Sequence, residues 1–225
     1  MKTKLLILVC FLASNAIVLS QGTFQDLNFE DAVIARLGTG YSAASAFPGW
    51  QVLIGTTPTS VVGYDGLSIG ASAIAIIDDL TGYVPIDGNY TAYLMASSIP
   101  DHSGTASLAQ TGTIPAGTQS IELDANQATS SSFAVTVNGN TINMTPVETY
   151  PGYTLYGGNV SAWSGQTATL SITELEPSNP QFSPSLLQLD DITFSTTAVP
   201  EPDSILLTGI GGLIFAGHRL RLRCR

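Results

Sequence analysis

The chain has 225 residues, of which 17 are acidic and seven are lysine or arginine, so its formal net charge at pH 7 is −10. The imbalance is larger between residues 22 and 199, where 15 acidic residues face a single basic one, Arg36. Nucleic-acid binding depends on lysine and arginine side chains that neutralise phosphates. This composition therefore excludes nucleic acid as a partner.

The first 20 residues have the layout of a secretory signal peptide. Lys2 and Lys4 precede an apolar run over residues 5–13, and small and polar residues follow. Cleavage could follow Ala16 or Ser20, and we favour Ser20. The pattern predicts that the protein is exported.

Residues 21–198 are predicted to form one domain. The stretch is long enough for a sizeable hydrophobic core, and no internal repeat or long linker divides it. Both cysteines, Cys10 and Cys224, lie outside it, so the domain has no disulfide although export takes it to an oxidising compartment. Its stability is therefore expected to come from core burial.

Strand patterns recur through this domain, and helix patterns are almost absent. Phe133, Val135 and Val137 alternate with small and polar residues, and Asn138-Gly139 is a strong signal for a tight hairpin. Such patterns predict strands over residues 51–54, 72–77, 90–95, 105–110, 119–123, 133–137, 141–145, 153–156 and 167–175. Many short strands with turns between them indicate an all-β protein, an antiparallel β-sandwich. The predicted core contains Ile121, Leu123, Phe133, Val135, Val137, Leu170, Ile172, Ile192 and Phe194.

The two ends of the domain carry a more specific pattern. Residues 27–31 read Leu-Asn-Phe-Glu-Asp, residues 48–52 read Pro-Gly-Trp-Gln-Val, and residues 187–194 read Leu-Gln-Leu-Asp-Asp-Ile-Thr-Phe. This pattern resembles the jelly roll of galactose-binding-like domains and related carbohydrate-binding modules. In those domains an opening strand of the Asn-x-x-Glu type meets a closing Asp-Asp strand.

That resemblance also implies a metal site. In such modules a structural calcium ion often lies where the first and last strands meet. Glu30 or Asp31, together with Asp190 or Asp191, would then supply the carboxylate oxygens that calcium requires. The alternative is that all four carboxylates are solvated at strand ends.

Aromatic side chains are the candidates for sugar binding, because their rings stack on sugar faces. Trp163, which precedes Ser-Gly-Gln, is the candidate ligand-binding residue, whereas Trp50 is expected in the core. The tyrosines offer further candidates, although the sequence shows no aromatic line that would mark a platform. They are Tyr41, Tyr64, Tyr83, Tyr90, Tyr150, Tyr153 and Tyr156.

Catalysis has little support in the sequence. His102 is the only histidine of the domain, and its neighbours Asp101 and Ser103 are adjacent only in sequence. Catalytic triads are built from groups that converge in space. The protein is therefore predicted not to be an enzyme.

Residues 199–225 form a distinct tail. It begins with the stiff segment Pro200-Glu201-Pro202, and residues 205–216 contain no charge. An apolar stretch that ends in basic residues is typical of a segment held in a membrane, but this one is short of the roughly 20 residues that a stable span needs. The basic end consists of Arg219, Arg221, Arg223 and Arg225.

The tail resembles the PEP-CTERM sorting signal of bacterial exosortase substrates, in which Pro-Glu-Pro precedes a short span and an arginine-rich end. The resemblance implies an exosortase-type processing enzyme as a partner, a membrane anchor during sorting, and then a position at the cell surface or outside the cell. The domain also resembles the ectodomains that accompany such tails.

The predicted function is that of a non-enzymatic, exported surface or extracellular-matrix protein. The alternative is a carbohydrate-binding module that acts on extracellular polysaccharide. A secreted glycan-cleaving enzyme is the less favoured third possibility.

Overall fold

The computed structural model of the protein describes residues 23–35, 40–66, 71–79, 82, 84–99, 103–128, 131–177 and 184–199. The predicted signal peptide lies outside these residues. So do the sorting-motif residues Pro200, Glu201 and Pro202 and the four arginines from Arg219 to Arg225. In the described part of the chain, no helix combines the length and the apolar character that a membrane crossing requires.

The described residues form 14 strands, one helical turn at Ala43–Ala46 (α1) and one 3₁₀ turn at Ser161–Trp163. The strands, numbered in chain order, are β1 Gly40–Ser42, β2 Gln51–Ile54, β3 Thr57–Pro58, β4 Val61–Tyr64, β5 Ala73–Ile77, β6 Thr91–Ala96, β7 Ala106–Thr113, β8 Ser120–Gln127, β9 Phe133–Val137, β10 Asn140–Ile142, β11 Thr145–Tyr150, β12 Tyr153–Asn159, β13 Thr167–Glu174 and β14 Ser185–Ser195.

These strands build two sheets that pack face to face as a β-sandwich. The larger has eight strands in the order β1-β4-β5-β6-β14-β8-β12-β11, and the smaller has six in the order β10-β9-β13-β7-β2-β3. From β6 to β9 the chain alternates between the two sheets, as it does in a jelly roll. All paired strands named here are antiparallel except β4 and β5, which are parallel. The predicted β-sandwich is confirmed.

The core lies between the sheets. Eight of the nine predicted core residues are at most 3% exposed, and Phe133 is half-buried with its ring 5.2 Å from that of Tyr156. Trp50 is buried as expected, and its indole N–H donates to the carbonyl oxygen of Asp26 at 2.9 Å. Period-two alternation therefore identified the inward-facing side chains correctly.

Two parts of the strand prediction are wrong. Residues 27–31 form turns rather than an opening strand. Phe29 within them and Asp26 just before them have positive φ angles of 58° and 47°, outside the extended region that a regular strand uses. Residues 141–145 are not one strand but the crossing from β10 in one sheet to β11 in the other.

A groove beside Trp163 and the predicted carboxylates

Trp163 lines a groove of about 350 Å³ where the chain crosses between the two sheets. The groove is bordered by residues 141–143 with Thr145, by residues 157–159 at the end of β12, and by residues 161–163. Val199, the last described residue, completes it. Trp163 itself is half-buried and packs its ring partly against the core.

The turn that carries Trp163 is fixed by hydrogen bonds to its own ends. Asn159 Oδ1 accepts from the backbone N–H of Ser161 at 3.0 Å and from its hydroxyl at 2.7 Å. The backbone N–H of Trp163 donates to Val160 O at 3.0 Å, and Val160 is buried. The backbone that carries the indole is thus fixed by the turn itself.

Two adjacent glycines form part of the groove, and packing explains both. A Cβ atom at Gly158 would lie 2.5 Å from Ile142 Cγ2 and 2.6 Å from Met144 Sδ. A Cβ atom at Gly157 would lie 2.5 Å from Cγ2 of Val199. Strand β12 therefore leaves out two side chains where the crossing segment and Val199 pack against it.

Among the residues that the structure describes, the groove lining is uncharged and mixes polar with apolar groups. It includes one indole, the hydroxyl groups of two threonines and Ser161, the amides of Asn143 and Asn159, and the apolar side chains of Ile142, Ala162 and Val199. In a chain of net charge −10, an uncharged polar groove favours a neutral ligand rich in hydroxyl groups. The sequence pointed to Trp163 but not to the two asparagines, because isolated polar residues near turns are too common to single out.

Glu30, a predicted metal ligand, holds a neighbouring loop. Its Oε1 accepts from the backbone N–H groups of Asn89 and Tyr90 at 2.7 and 2.8 Å, and its Oε2 accepts from the side-chain amide of Asn89 at 2.7 Å. A Cβ atom at Gly88, whose φ is +60°, would collide with this carboxylate. The loop is therefore shaped to wrap around Glu30.

Asp190 holds the same loop from β14. Its Oδ2 accepts from the Thr91 hydroxyl at 2.5 Å and from the Asp87 backbone N–H at 3.3 Å, and its Oδ1 accepts from the Asp191 backbone N–H at 2.9 Å. Burial raises the pKa of Asp190 to about 7, although these hydrogen bonds oppose the rise. Asp190 is thus a buried acceptor with its oxygens already engaged.

The structure does bring the two ends of the domain together, because the backbone N–H of Ile192 donates to Leu27 O at 2.9 Å. Asp191 has a φ of +46°. Its side chain is accessible to solvent, but partial desolvation by the surrounding protein raises its pKa, and the charge of Asp87 adds to the rise. Asp31 is exposed, and its backbone N–H donates to Asp26 Oδ1 at 2.9 Å.

Two of the four predicted calcium ligands, Glu30 and Asp190, are largely engaged by hydrogen-bond donors of the protein. A carboxylate offers roughly four lone-pair positions, and Glu30 and Asp190 each use three of them on protein donors. Within the ranges that the structure describes, no three acidic, histidine or cysteine residues are grouped so as to hold a metal ion. Calcium binding stays a prediction of the sequence.

A search of protein-family models found no match to the chain, and a search of curated proteins found none either. Several solved structures are similar to it, among them the two that follow. One is the carbohydrate-binding module TmCBM61 in complex with β-1,4-galactotriose, with 14% identity, a TM-score of 0.46, and coverage of 78% of this chain and 99% of that one.

The other is the K1 cleaved adhesin domain of Lys-gingipain from Porphyromonas gingivalis W83, with 13% identity, a TM-score of 0.40, and coverage of 77% of this chain and 96% of that one. Both similarities are too distant to transfer a binding property. The assignment of the fold rests on the two sheets themselves.

Proposed function

We propose that the protein is an exported, non-enzymatic surface or extracellular-matrix protein whose β-sandwich binds a glycan in the Trp163 groove. The observation that carries this proposal is the composition of the groove, an indole among hydroxyl and amide groups with no charge. Ligand sites are typically concave, with apolar or aromatic surface and a few polar groups that fix orientation. A sugar presents both an apolar ring face and a rim of hydroxyls, and so matches such a lining.

Delivery to the surface is the second part of the proposal. The tail resembles a PEP-CTERM signal, so we expect an exosortase-type enzyme to process it while residues 205–216 hold the chain in the membrane. Val199, immediately before Pro200, packs against Gly157, so the folded domain reaches up to the sorting motif. Intact-mass measurement on protein from the native host should find no residues beyond about Pro202. Recovery of Arg225 would contradict the processing step.

Affinity electrophoresis tests the binding part. We expect the full chain, purified in mild detergent, to be retarded in native gels that contain galactan, glucan, mannan or chitosan. Trp163→Ala should weaken that retardation about tenfold or more, because a desolvated aromatic anchor commonly contributes 2 kcal/mol or more to binding. Trp163→Phe should retain part of it.

The control for this experiment is Thr111→Ala, an exposed position on the six-stranded sheet. It should leave the retardation unchanged. No retardation of the wild-type chain in any of these polymers would sink the glycan proposal. Release of new reducing ends from the retarding polymer would instead support a glycan-cleaving enzyme.

A further inference from the structure

A second cleft, of about 390 Å³, lies at the opposite end of β12 from the Trp163 groove. Residues 84–86 line one part of it, and residues 151–153 at the tip of the β11–β12 hairpin line another. Asn126 of β8 and Gln188 of β14, which are paired in the sheet, line it between them. A strand advances about 3.3 Å per residue, so the two ends of β12 lie roughly 20 Å apart and the clefts are separate.

Tyr153 lines this cleft, and its ring is stacked on that of the neighbouring Tyr150. The rings of Tyr150 and Tyr153 lie 4.9 Å apart at an angle of 23°, and the Tyr150 hydroxyl donates to Glu148 Oε2 at 2.6 Å. Tyr150 is 37% exposed. Tyrosine offers a large, rigid surface that is partly apolar and partly polar, at a low cost in conformational entropy. Such a surface suits the apolar face of a sugar ring.

The two amide side chains are oriented by a mutual hydrogen bond. Asn126 Nδ2 donates to Gln188 Oε1 at 2.9 Å. This bond does not use Oδ1 of Asn126 or Nε2 of Gln188, which are an acceptor and a donor respectively. A hydroxyl group can both donate and accept, and so can pair with either atom.

The loop that lines the cleft is fixed before a ligand binds. Glu30 and Asp190 hold residues 87–91 through the hydrogen bonds given above, and the Thr91 hydroxyl accepts from the backbone N–H of Ile86 at 2.8 Å. Sites whose walls are preorganised lose less free energy on binding. Glu30 and Asp190 are therefore positioning residues for the cleft and need not contact its ligand.

The charge around the cleft restricts the kind of ligand. Burial raises the pKa of the Tyr153 hydroxyl, and the negative charges of Asp124, Asp87, Asp191 and Glu148 add to the rise. The described residues include no lysine, arginine or histidine that would neutralise them. Carboxylates accept hydrogen bonds from hydroxyl and ammonium groups and repel other carboxylates.

We propose that the Tyr153 cleft is a second glycan-binding subsite, which takes a neutral or amine-bearing sugar and rejects acidic ones. The inference rests on the proposed function, because it assumes that the first subsite is the Trp163 groove. Two subsites on one domain make binding to a polymer bivalent. Bivalency strengthens apparent affinity by about 10²–10⁴-fold when the geometry allows both sites to engage.

The experiment compares the wild-type chain with Tyr153→Ala, Trp163→Ala and the double variant in the same gels, with polygalacturonate as the acidic polymer. We expect each single variant to lose about tenfold or more in apparent affinity, and the double variant to lose retardation altogether. Polygalacturonate should retard none of them. Tyr153→Phe, which keeps the ring, should bind nearly as the wild type does.

Glu30→Gln tests whether the loop that Glu30 holds is needed for binding in the cleft. With Trp163 intact, it should weaken retardation as Tyr153→Ala does, while Glu176→Gln at an exposed position should not. If Tyr153→Ala were retarded as strongly as the wild type while Trp163→Ala was not retarded, the second subsite would be overturned and the proposed function would stand. If polygalacturonate retarded the wild-type chain and Tyr153→Ala abolished that retardation, the assigned ligand class would be overturned. A wild-type chain that binds no polymer would overturn both proposals.

Discussion

Glu174 of β13 carries a fully buried carboxyl group, and its ionisation links the stability of the fold to pH. The Ser185 hydroxyl donates to Glu174 Oε1. Burial nevertheless raises the pKa of Glu174 from its ordinary 4.5 to about 7, with hydrogen bonds from Ser185 and Ser131 opposing the rise. The folded state therefore favours the protonated form of this side chain.

Glu174→Gln tests this account. Because the folded-state pKa is raised, the contribution of Glu174 to stability is fully present below about pH 4.5 and is lost as the pH rises through about 7. A neutral glutamine avoids that loss. Its gain at about pH 8 is at most about 3 kcal/mol, since each unit between the two pKa values is worth about 1.4 kcal/mol.

Urea denaturation at about pH 4.5 and pH 8 measures the effect. The variant should be more stable than the wild type at the higher pH and similar at the lower one. Glu176→Gln makes the same substitution at an exposed position and should leave the free energy of unfolding unchanged at both pH values. A glutamine variant that is less stable at pH 8 would show that the ionised carboxylate stabilises the fold.

At the level of elements, the sequence predicted many of the strands but not the sheet to which each strand belongs. Residues 51–54 and 133–137 match β2 and β9, and the Asn138-Gly139 hairpin has the positive φ angles, 50° and 75°, that its tight turn requires. The break within 141–145 was missed, because a period-two pattern does not tell which sheet a residue joins.

The candidate site was predictable only in part for a similar reason. Trp163 stood out as an aromatic next to turn residues. The groove around it depends on contacts between residues distant in sequence, such as Gly157 with Val199 and Gly158 with Ile142. No local pattern encodes such contacts. In the sequence, the adjacent glycines Gly157 and Gly158 are the one feature that reflects these contacts.

Gly158→Ala tests whether this close approach is required. The new Cβ atom would overlap Ile142 and Met144, and overpacking of this kind commonly costs about 1–3 kcal/mol. The displaced crossing segment should also weaken glycan binding in the Trp163 groove. Gly66→Ala is the matched control, because no atom lies within 4 Å of a Cβ atom there. Equal melting temperatures for the two variants would show that the segment yields without strain.

For the molecule as a whole, excess acidic charge links stability to pH. Burial raises the pKa of Asp26 and Asp124 to about 6 and that of Glu174 and Asp190 to about 7. For Asp124, the charges of Asp191 and Asp87 add to the effect. All four groups bind protons more tightly in the folded chain, so stability should fall as the pH rises from about 4 to 7.

We therefore expect the protein to melt at a higher temperature at about pH 5 than at about pH 8. Part of the difference is repulsion between carboxylates, which salt screens. Added sodium chloride should narrow the gap without closing it, because the burial of the four groups persists. Scanning calorimetry at both pH values, with and without salt, measures this. A melting temperature that rises from pH 5 to pH 8 would contradict the raised pKa values.

The effect of calcium on the melting temperature distinguishes two roles for Glu30 and Asp190, which are binding a metal ion and holding the loop of residues 87–91. An ion that binds only the folded state adds RT ln(1 + [L]/Kd), or about 2.7 kcal/mol at a hundred times Kd. The sequence thus predicts a melting temperature several degrees lower in chelator than in millimolar calcium, a difference that Glu30→Gln or Asp191→Asn should abolish. The hydrogen bonds of Glu30 and Asp190 to residues 87–91 lead us to expect no such difference. Glu30→Gln should instead lower the melting temperature equally in both solutions, because it loosens the loop whether or not calcium is present.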